Sequence, residues 1–340
     1  MRVETILSGL SVEEIASQAI KAETLGYDGA ITTETGHDPF LPLLIAAEHT
    51  KRISLATGIA IAFPRSPFVV AQMAWDLQRF SGGRFLLGLG TQVKGHNERR
   101  YATLWTAPPV PRLREYILCL RSIFQTFQSG DRPTYKGQYY QFTLIPPVFN
   151  PGPIRHPRIP IFISAVNKFM ARLAGELCEG VRLHPMNTAK YSKEVLLPNI
   201  EAGATKAGRS LSQIDIAGAP FIITGKNDEE IEKTKGPIRQ QIAFYASTRS
   251  YLPVLAAHGW EETGRQLYRL SLEGKWVEMA GLISDEMLEE FATIGTYKEI
   301  VPKLKERWGD FITSVILYSP PDSSDRDERL KAMIQELHEL

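Results

Sequence analysis

Two loops in this sequence hold side chains that can move a proton or grip an anion. Glu34-Thr-Gly-His37 follows residues 28–33, a run short and apolar enough for a buried strand. A carboxylate there can accept hydrogen bonds or carry a proton. An imidazole, whose unperturbed pKa lies near neutrality, can serve as acid or base. The plainer roles for His37 are a solvated loop residue or an N-cap partner for the helix opening near Pro39. Ser164-Ala-Val-Asn-Lys168 joins a second apolar run to a helix. Unpaired N–H groups and the positive dipole end of a helix suit a phosphate, and Ser164, Asn167 and Lys168 add donors and charge. Plain capping by Asn167 is the alternative. His184, just before Pro185, ends a further apolar run and either contacts substrate or packs as a structural histidine.

Gly88-Leu89-Gly90 supplies two of the glycines of a dinucleotide-binding turn, but Val93 stands where the third belongs. Such a turn needs a helix starting at once on the phosphate. Residues 91–100 are instead polar and lack apolar periodicity, and they include the basic cluster Lys94, His96, Arg99 and Arg100. The better reading is a barrel strand whose small residues leave room at its carboxyl end, where barrel active sites lie. No spacing suits a zinc site, a nucleophile elbow or a P-loop, so no metal is expected.

The elements that position these residues alternate. Strands are expected at residues 3–7, 28–33, 53–58, 85–90, 159–164, 180–183, within 214–223, and at 314–317. Ser11 and Glu14 make a capping-box pattern, with Leu10 and Ile15 as a hydrophobic staple; Ile15, Ala16, Ala19, Ala22 and Leu25 form one apolar face and Gly26 stops the helix. Ser66 and Pro67 open a helix reaching Phe80. Further helices are expected at about 39–49, 111–128, 167–178, 190–207 and 325–339, and through much of 228–292. Thr296 and Glu299 make a second capping box, opening a helix to Trp308. Residues 133–142 read as a β-hairpin whose Tyr135, Tyr139, Tyr140 and Phe142 would cap a pocket or pack between subunits.

Apolar strands joined by amphipathic helices argue an α/β chain with a parallel sheet. Eight of them predict a single-domain (β/α)8 TIM barrel over 1–340, with insertions after strands 4 and 7 at about 91–158 and 225–293. A doubly wound sheet is the alternative.

Composition narrows the partners. The 340 residues are 43% hydrophobic and 23% charged with net charge +1, which suits a large core and gives no basis for capturing nucleic acid or an anionic membrane. The two cysteines, Cys119 and Cys178, fall in helical stretches and read as buried thiols without a disulfide framework. Neither a secretory leader nor a membrane-spanning run is evident, so the expected location is cytoplasmic.

Several blocks in order then resemble a known family. They are Ala22-Glu-x-Leu-Gly-Tyr-Asp-Gly29; Thr33-Glu-Thr-Gly-His-Asp-Pro39; Arg65-Ser-Pro67, with Ala71 and Gln72 in the helix that follows; Ser81-Gly-Gly-Arg-Phe-Leu-Leu-Gly-Leu-Gly-Thr91; Leu173-Ala-Gly-Glu176 with Gly180; and Gly295-Thr296. Together they are similar to the luciferase-like monooxygenase superfamily, and more narrowly to its F420-dependent oxidoreductases. The resemblance runs from about residue 10 to 318 and is weakest after strand seven.

It implies coenzyme F420 as cofactor, with FMN the alternative, and hydride transfer to or from a small organic substrate in a homodimer or higher homo-oligomer. An FMN-dependent monooxygenase and a non-catalytic deazaflavin-binding protein are the other readings. By resemblance, a non-prolyl cis peptide at Gly58–Ile59 forms a bulge behind the deazaflavin ring, with Ala60 following and Ile59 turned to the ring. Thr91 and Gln92 would flank the cofactor, and Ser164, Ala165, Val166, Asn167 and Lys168 would hold its phosphate. Glu34 or His37 would serve the ring's reactive edge, the basic cluster would meet a polyglutamate tail, and His184 would touch substrate.

Overall fold

The computed structural model describes residues 1–317 and 324–339. Residues 318–323 and 340, which include the last position of the resemblance, lie outside the described residues.

Strands and helices alternate as expected. The strands are β1 (Arg2–Ile6), β2 (Gly29–Thr32), β3 (Ser54–Thr57), β4 (Ala60–Ile61), β5 (Phe85–Gly90), β6 (Tyr135–Lys136), β7 (Gln141–Phe142), β8 (Ile161–Ala165), β9 (Gly180–Leu183), β10 (Asp215–Gly218), β11 (Phe221–Gly225), β12 (Ala292–Thr296) and β13 (Ser314–Ile316). The main sheet runs β3-β2-β1-β13-β10-β9-β8-β5, and β5 pairs back onto β3. That pairing closes a ring of eight strands, so the fold is the (β/α)8 barrel and the doubly wound alternative fails. The short β4 adds to β5 in parallel, with Ala60 opposite Leu89.

The chain divides into two compact units. The first comprises Glu4–Ser164 and Glu176–Gly180; the second comprises Met1–Val3, Ala165–Gly175 and Val181–Leu340.

In the first unit, helix Val12–Leu25 starts where Ser11 accepts the Glu14 N–H, and it buries Ile15, Ala19, Ala22 and Leu25. The expected staple does not form. The Glu14 carboxylate takes the N–H of Leu10, 2.6 Å away, closing the turn one residue early and leaving Leu10 79% exposed. Ser66 caps helix Pro67–Phe80 through the Val69 N–H, with Pro67 leading the first turn. That helix buries Trp75 against Phe124 and Phe127 of helix Pro109–Ser129, at ring separations of 5.8 and 5.6 Å. Burying such a ring stabilises by about 2–3 kcal/mol. The hairpin β6–β7 forms and packs on this same helix: Tyr135 donates to the Glu115 carbonyl, the Glu115 carboxylate accepts the Tyr139 N–H, Arg112 donates to Tyr140, and Phe142 is buried. Residues 91–100, expected as a loop, contain a short helix, Lys94–Arg99, which has no side-chain cap to signal it.

In the second unit, residues 214–223 hold two strands rather than one. Pro220 brings no N–H to a ladder, so pairing breaks between β10 and β11. β11 then pairs in parallel with β12, a strand the sequence reading missed. The expected helix at 190–207 contains a π turn, Ser192–Leu196, just ahead of Pro198, which cannot bond back into a regular ladder. A Cβ at Gly175 would overlap the Ile200 carbonyl, so glycine there lets helix Lys168–Leu177 meet helix Leu197–Lys206 closely. Thr296 bonds the Glu299 carboxylate through both its N–H and its hydroxyl, ahead of helix Ile300–Trp308. Cys119 and Cys178 are buried and unbridged. Among the described residues no helix is long and apolar enough to cross a membrane.

Candidate active site at the carboxyl ends of the strands

In the first unit, the loop after β2 is tied down by charge. Arg65 Nη1 reaches both Glu34 oxygens, at 2.9 and 2.8 Å, and Nη2 reaches Asp38 at 3.0 Å. Glu34 Oε2 also accepts the Ile61 N–H at 2.7 Å, and the Tyr101 hydroxyl donates to Oε1 at 3.3 Å. Burial pulls the Arg65 guanidinium down, but the hydrogen bonds and charges of Glu34 and Asp38 outweigh it and hold its pKa above the ordinary value. Burial, reinforced by the Glu34 charge, raises the Tyr101 phenol. Glu34 is therefore a saturated anchor between three loop segments. Capping of helix Leu41–His49 falls to Asp38, whose Oδ1 accepts the Phe40 and Leu41 N–H groups, and not to His37. His37 itself stands exposed on the loop.

At the end of β3, the Thr57 hydroxyl donates to the Gly88 carbonyl and accepts the Gly88 N–H, locking β3 to β5. The next peptide bond, Gly58–Ile59, is cis, as the resemblance implies. Ile59 is half-buried, and its side chain lies over the backbone of Gly90: a Cβ there would stand 2.5 Å from Ile59 Cδ1 and 3.0 Å from Ser164 Oγ. Ile59, bare Gly90 and Ser164 thus form one shelf with an aliphatic face and a hydroxyl at its side. Ala60, next in the chain, is fully buried. Thr91 and Gln92 follow at the edge, Gln92 at φ 55° with its side chain accepting the Val93 N–H. Fully buried Asn97, on the short helix, donates to the Thr91 and Val93 carbonyls and so fixes this turn. The basic cluster lies on the exposed side of that region. Lys94 pairs with Glu98 at 3.8 Å, and Arg100 donates to the Thr35 carbonyl and covers the Tyr101 ring.

In the second unit, Ala165 is buried at the end of β8. Asn167 Oδ1 accepts the N–H groups of Phe169 and Met170, at 3.1 and 3.0 Å, so capping takes two of the first-turn donors. Lys168 is exposed and stands over the Phe169 ring. The Val166 carbonyl accepts the Tyr191 hydroxyl at 3.0 Å, which fixes the loop. His184 follows β9 directly, and both its ring nitrogens are committed: Nδ1 to the Met186 N–H at 3.0 Å and Nε2 to the Tyr251 hydroxyl at 3.1 Å. Burial pushes its pKa down to about 4. No ring nitrogen is left for direct contact with a substrate.

Sequence reasoning missed Arg65, Tyr101, Asn97 and Tyr251. Arg65 was visible only as part of a motif; Tyr101 and Tyr251 act through partners far along the chain, and Asn97 through main-chain carbonyls of its own turn.

Residues 2–313 match the family model described as luciferase-like monooxygenase. The chain is 41% identical over 301 residues to an uncharacterised protein of Mycobacterium tuberculosis, with 88% of each chain covered. It is 30% identical over 307 residues to the 5,10-methylenetetrahydromethanopterin reductase of Archaeoglobus fulgidus, covering 88% of this chain and 87% of that one. Among solved structures, the coenzyme F420 dependent tetrahydromethanopterin reductase from Methanopyrus kandleri gives a TM-score of 0.79 at 24% identity, over 100% of this chain and 98% of that one. At that identity the structural likeness speaks to the fold.

Proposed function

Because this chain belongs to the luciferase-like monooxygenase family, a family of oxidoreductases, we propose that it moves a hydride between the C5 carbon of coenzyme F420 and a small organic substrate at the carboxyl ends of the barrel strands. The observation that carries this reading is the shelf of Ile59 over Gly90. It offers an aliphatic contact with the Ser164 hydroxyl beside it, a combination suited to the face of an aromatic ring. When bound, F420 would supply two electrons as a hydride and react poorly with oxygen, which favours reduction or dehydrogenation over oxygen insertion.

The chain's own residues would bind and orient. Gly58 and Ile59 would back the ring, with buried Ala60 next in the chain. Thr91 and Gln92 would flank it, held by Asn97. Ser164, Ala165, Val166, Asn167 and Lys168 would hold the phosphate through the remaining backbone donors, the Ser164 hydroxyl and the Lys168 charge. Lys94, His96, Arg99 and Arg100 would meet an anionic tail. Glu34 would act as a positioning residue through Arg65, leaving His37 to handle the accompanying proton. The protein would work in the cytoplasm as a homodimer or higher homo-oligomer.

Titration of the purified chain with F420 and with FMN, followed by fluorescence quenching, tests the cofactor. The expected result is micromolar F420 binding. Micromolar FMN affinity without F420 binding overturns the reading in favour of the FMN monooxygenase. F420 binding with no hydride transfer across a panel of alcohols, ketones and enones overturns it in favour of a cofactor-binding protein.

A further inference from the structure

Tyr251 comes from residues 225–293, the insertion that the family resemblance covers least. Its hydroxyl lies 3.1 Å from Nε2 of His184, which stands at the carboxyl end of β9, the side on which barrel active sites are built.

The hydrogen inventory of this pair can be worked out atom by atom. A backbone N–H only donates, so the Met186 N–H, 3.0 Å away, requires a bare lone pair on His184 Nδ1. A neutral imidazole with Nδ1 bare carries its proton on Nε2. Nε2–H therefore donates to Tyr251 Oη, and the phenol hydrogen is not spent on that bond. No other hydrogen bond to this hydroxyl is made among the described residues. Burial keeps His184 neutral at ordinary pH, with its pKa pushed down to about 4, and burial also raises the Tyr251 phenol so that it keeps its proton.

The hydroxyl is also held in place. The Tyr251 ring stacks on His184 with centroids 4.8 Å apart, and Tyr245 meets His184 edge-on at 4.8 Å. Tyr251 is only half-buried. A fixed hydroxyl on a half-buried ring, receiving one hydrogen bond and having its own hydrogen to give, can act as a donor.

We infer that Tyr251 is a specificity-determining residue whose phenol donates a hydrogen bond to an oxygen or nitrogen lone pair on the substrate, with His184 as the positioning residue behind it. This rests on the proposed function only in taking the strand ends as the substrate site. No proton is transferred: the phenol donates and keeps its hydrogen. Sites that hydrogen-bond a substrate group discriminate strongly against analogues lacking it, because the buried partner is then left unpaired. His184 would thereby act on substrate without touching it.

The test is NMR on the full chain carrying 15N-histidine and 13Cζ-tyrosine, without added cofactor. The Tyr251 signal is assigned by its loss in Tyr251→Phe. Two results are expected. The His184 nitrogens should show Nδ1 unprotonated and Nε2 protonated, with Tyr251→Phe shifting Nε2 more than Nδ1. Dimethyl sulfoxide, which accepts hydrogen bonds and cannot donate them, should shift Tyr251 Cζ saturably. A proton on Nδ1 overturns the inference, because the phenol hydrogen would then be spent on Nε2. A Tyr251 signal indifferent to dimethyl sulfoxide overturns it too. Because no cofactor is present, failure of the F420 reading registers separately, in the fluorescence titration.

Discussion

Arg65 holds Glu34 at 2.8 Å with only 5% of the Glu34 side chain exposed, so the carboxylate that looks like a proton carrier in the sequence is an anchor in the fold. The same guanidinium reaches Asp38, which caps the following helix. One cation therefore sets the path of the loop that carries His37.

Removing this anchor should cost stability before it costs chemistry. Glu34→Ala leaves Arg65 partly buried without its main partner and the Ile61 N–H without its acceptor. Breaking such a pair costs about 3 kcal/mol. Glu34→Gln, which keeps an acceptor for Ile61, should cost roughly half as much. Urea unfolding midpoints check both; equal, negligible shifts would show that the pair does not hold the loop.

Gly90→Ala should separate binding from folding. The new methyl meets Ile59 Cδ1 at 2.5 Å, the tip of a side chain able to swing away. The expected stability loss is about 1–2 kcal/mol from overpacking. Displacing Ile59 ruins the shelf, so F420 affinity should fall at least tenfold in the quenching titration.

His184 gives the protein a pH-dependent stability of known sign. Burial pushes its folded pKa to about 4 from an ordinary 6.5. As pH falls from about 6.5 to about 4, the unfolded chain takes up a proton that the native state refuses, and stability drops by up to about 1.4 kcal/mol per pH unit. Above pH 6.5 this contribution is constant. The Tyr251 phenol, raised by burial, keeps its proton throughout the window. The difference between wild-type and His184→Gln unfolding free energies across pH 4–7 isolates the effect; a flat difference would mean that His184 is not buried as a neutral ring.

Much of the scaffold was legible in the sequence because its signals are local. Ser11, Ser66 and Gly26 mark helix ends by chemistry that acts within four residues, and the runs of β2, β3 and β5 are too apolar to lie anywhere but inside. Most of what stayed hidden depends on distant partners. Glu34 reads as a free acid until Arg65, 31 residues away, closes on it. His184 reads as a substrate contact until Tyr251, 67 residues away, takes its remaining nitrogen. β12 lies between a helix and a capping pattern and becomes a strand by pairing with β11. Helix Lys94–Arg99 has no apolar stripe; a single buried residue, Asn97, ties it down. Pattern reading finds elements that bury a face, and it misses those held by one side chain.

On the proposed function, a redox ring would lie against the shelf made by Ile59 and Gly90. The most direct measurement is the NMR shift of the Ile59 δ1 methyl, 13C-labelled and assigned by Ile59→Val, during titration with F420. Ring-current displacement of that methyl, saturating at the same concentration as the fluorescence change, is the predicted result. Quenching that saturates while the Ile59 methyl stays still would place the cofactor elsewhere and contradict the account.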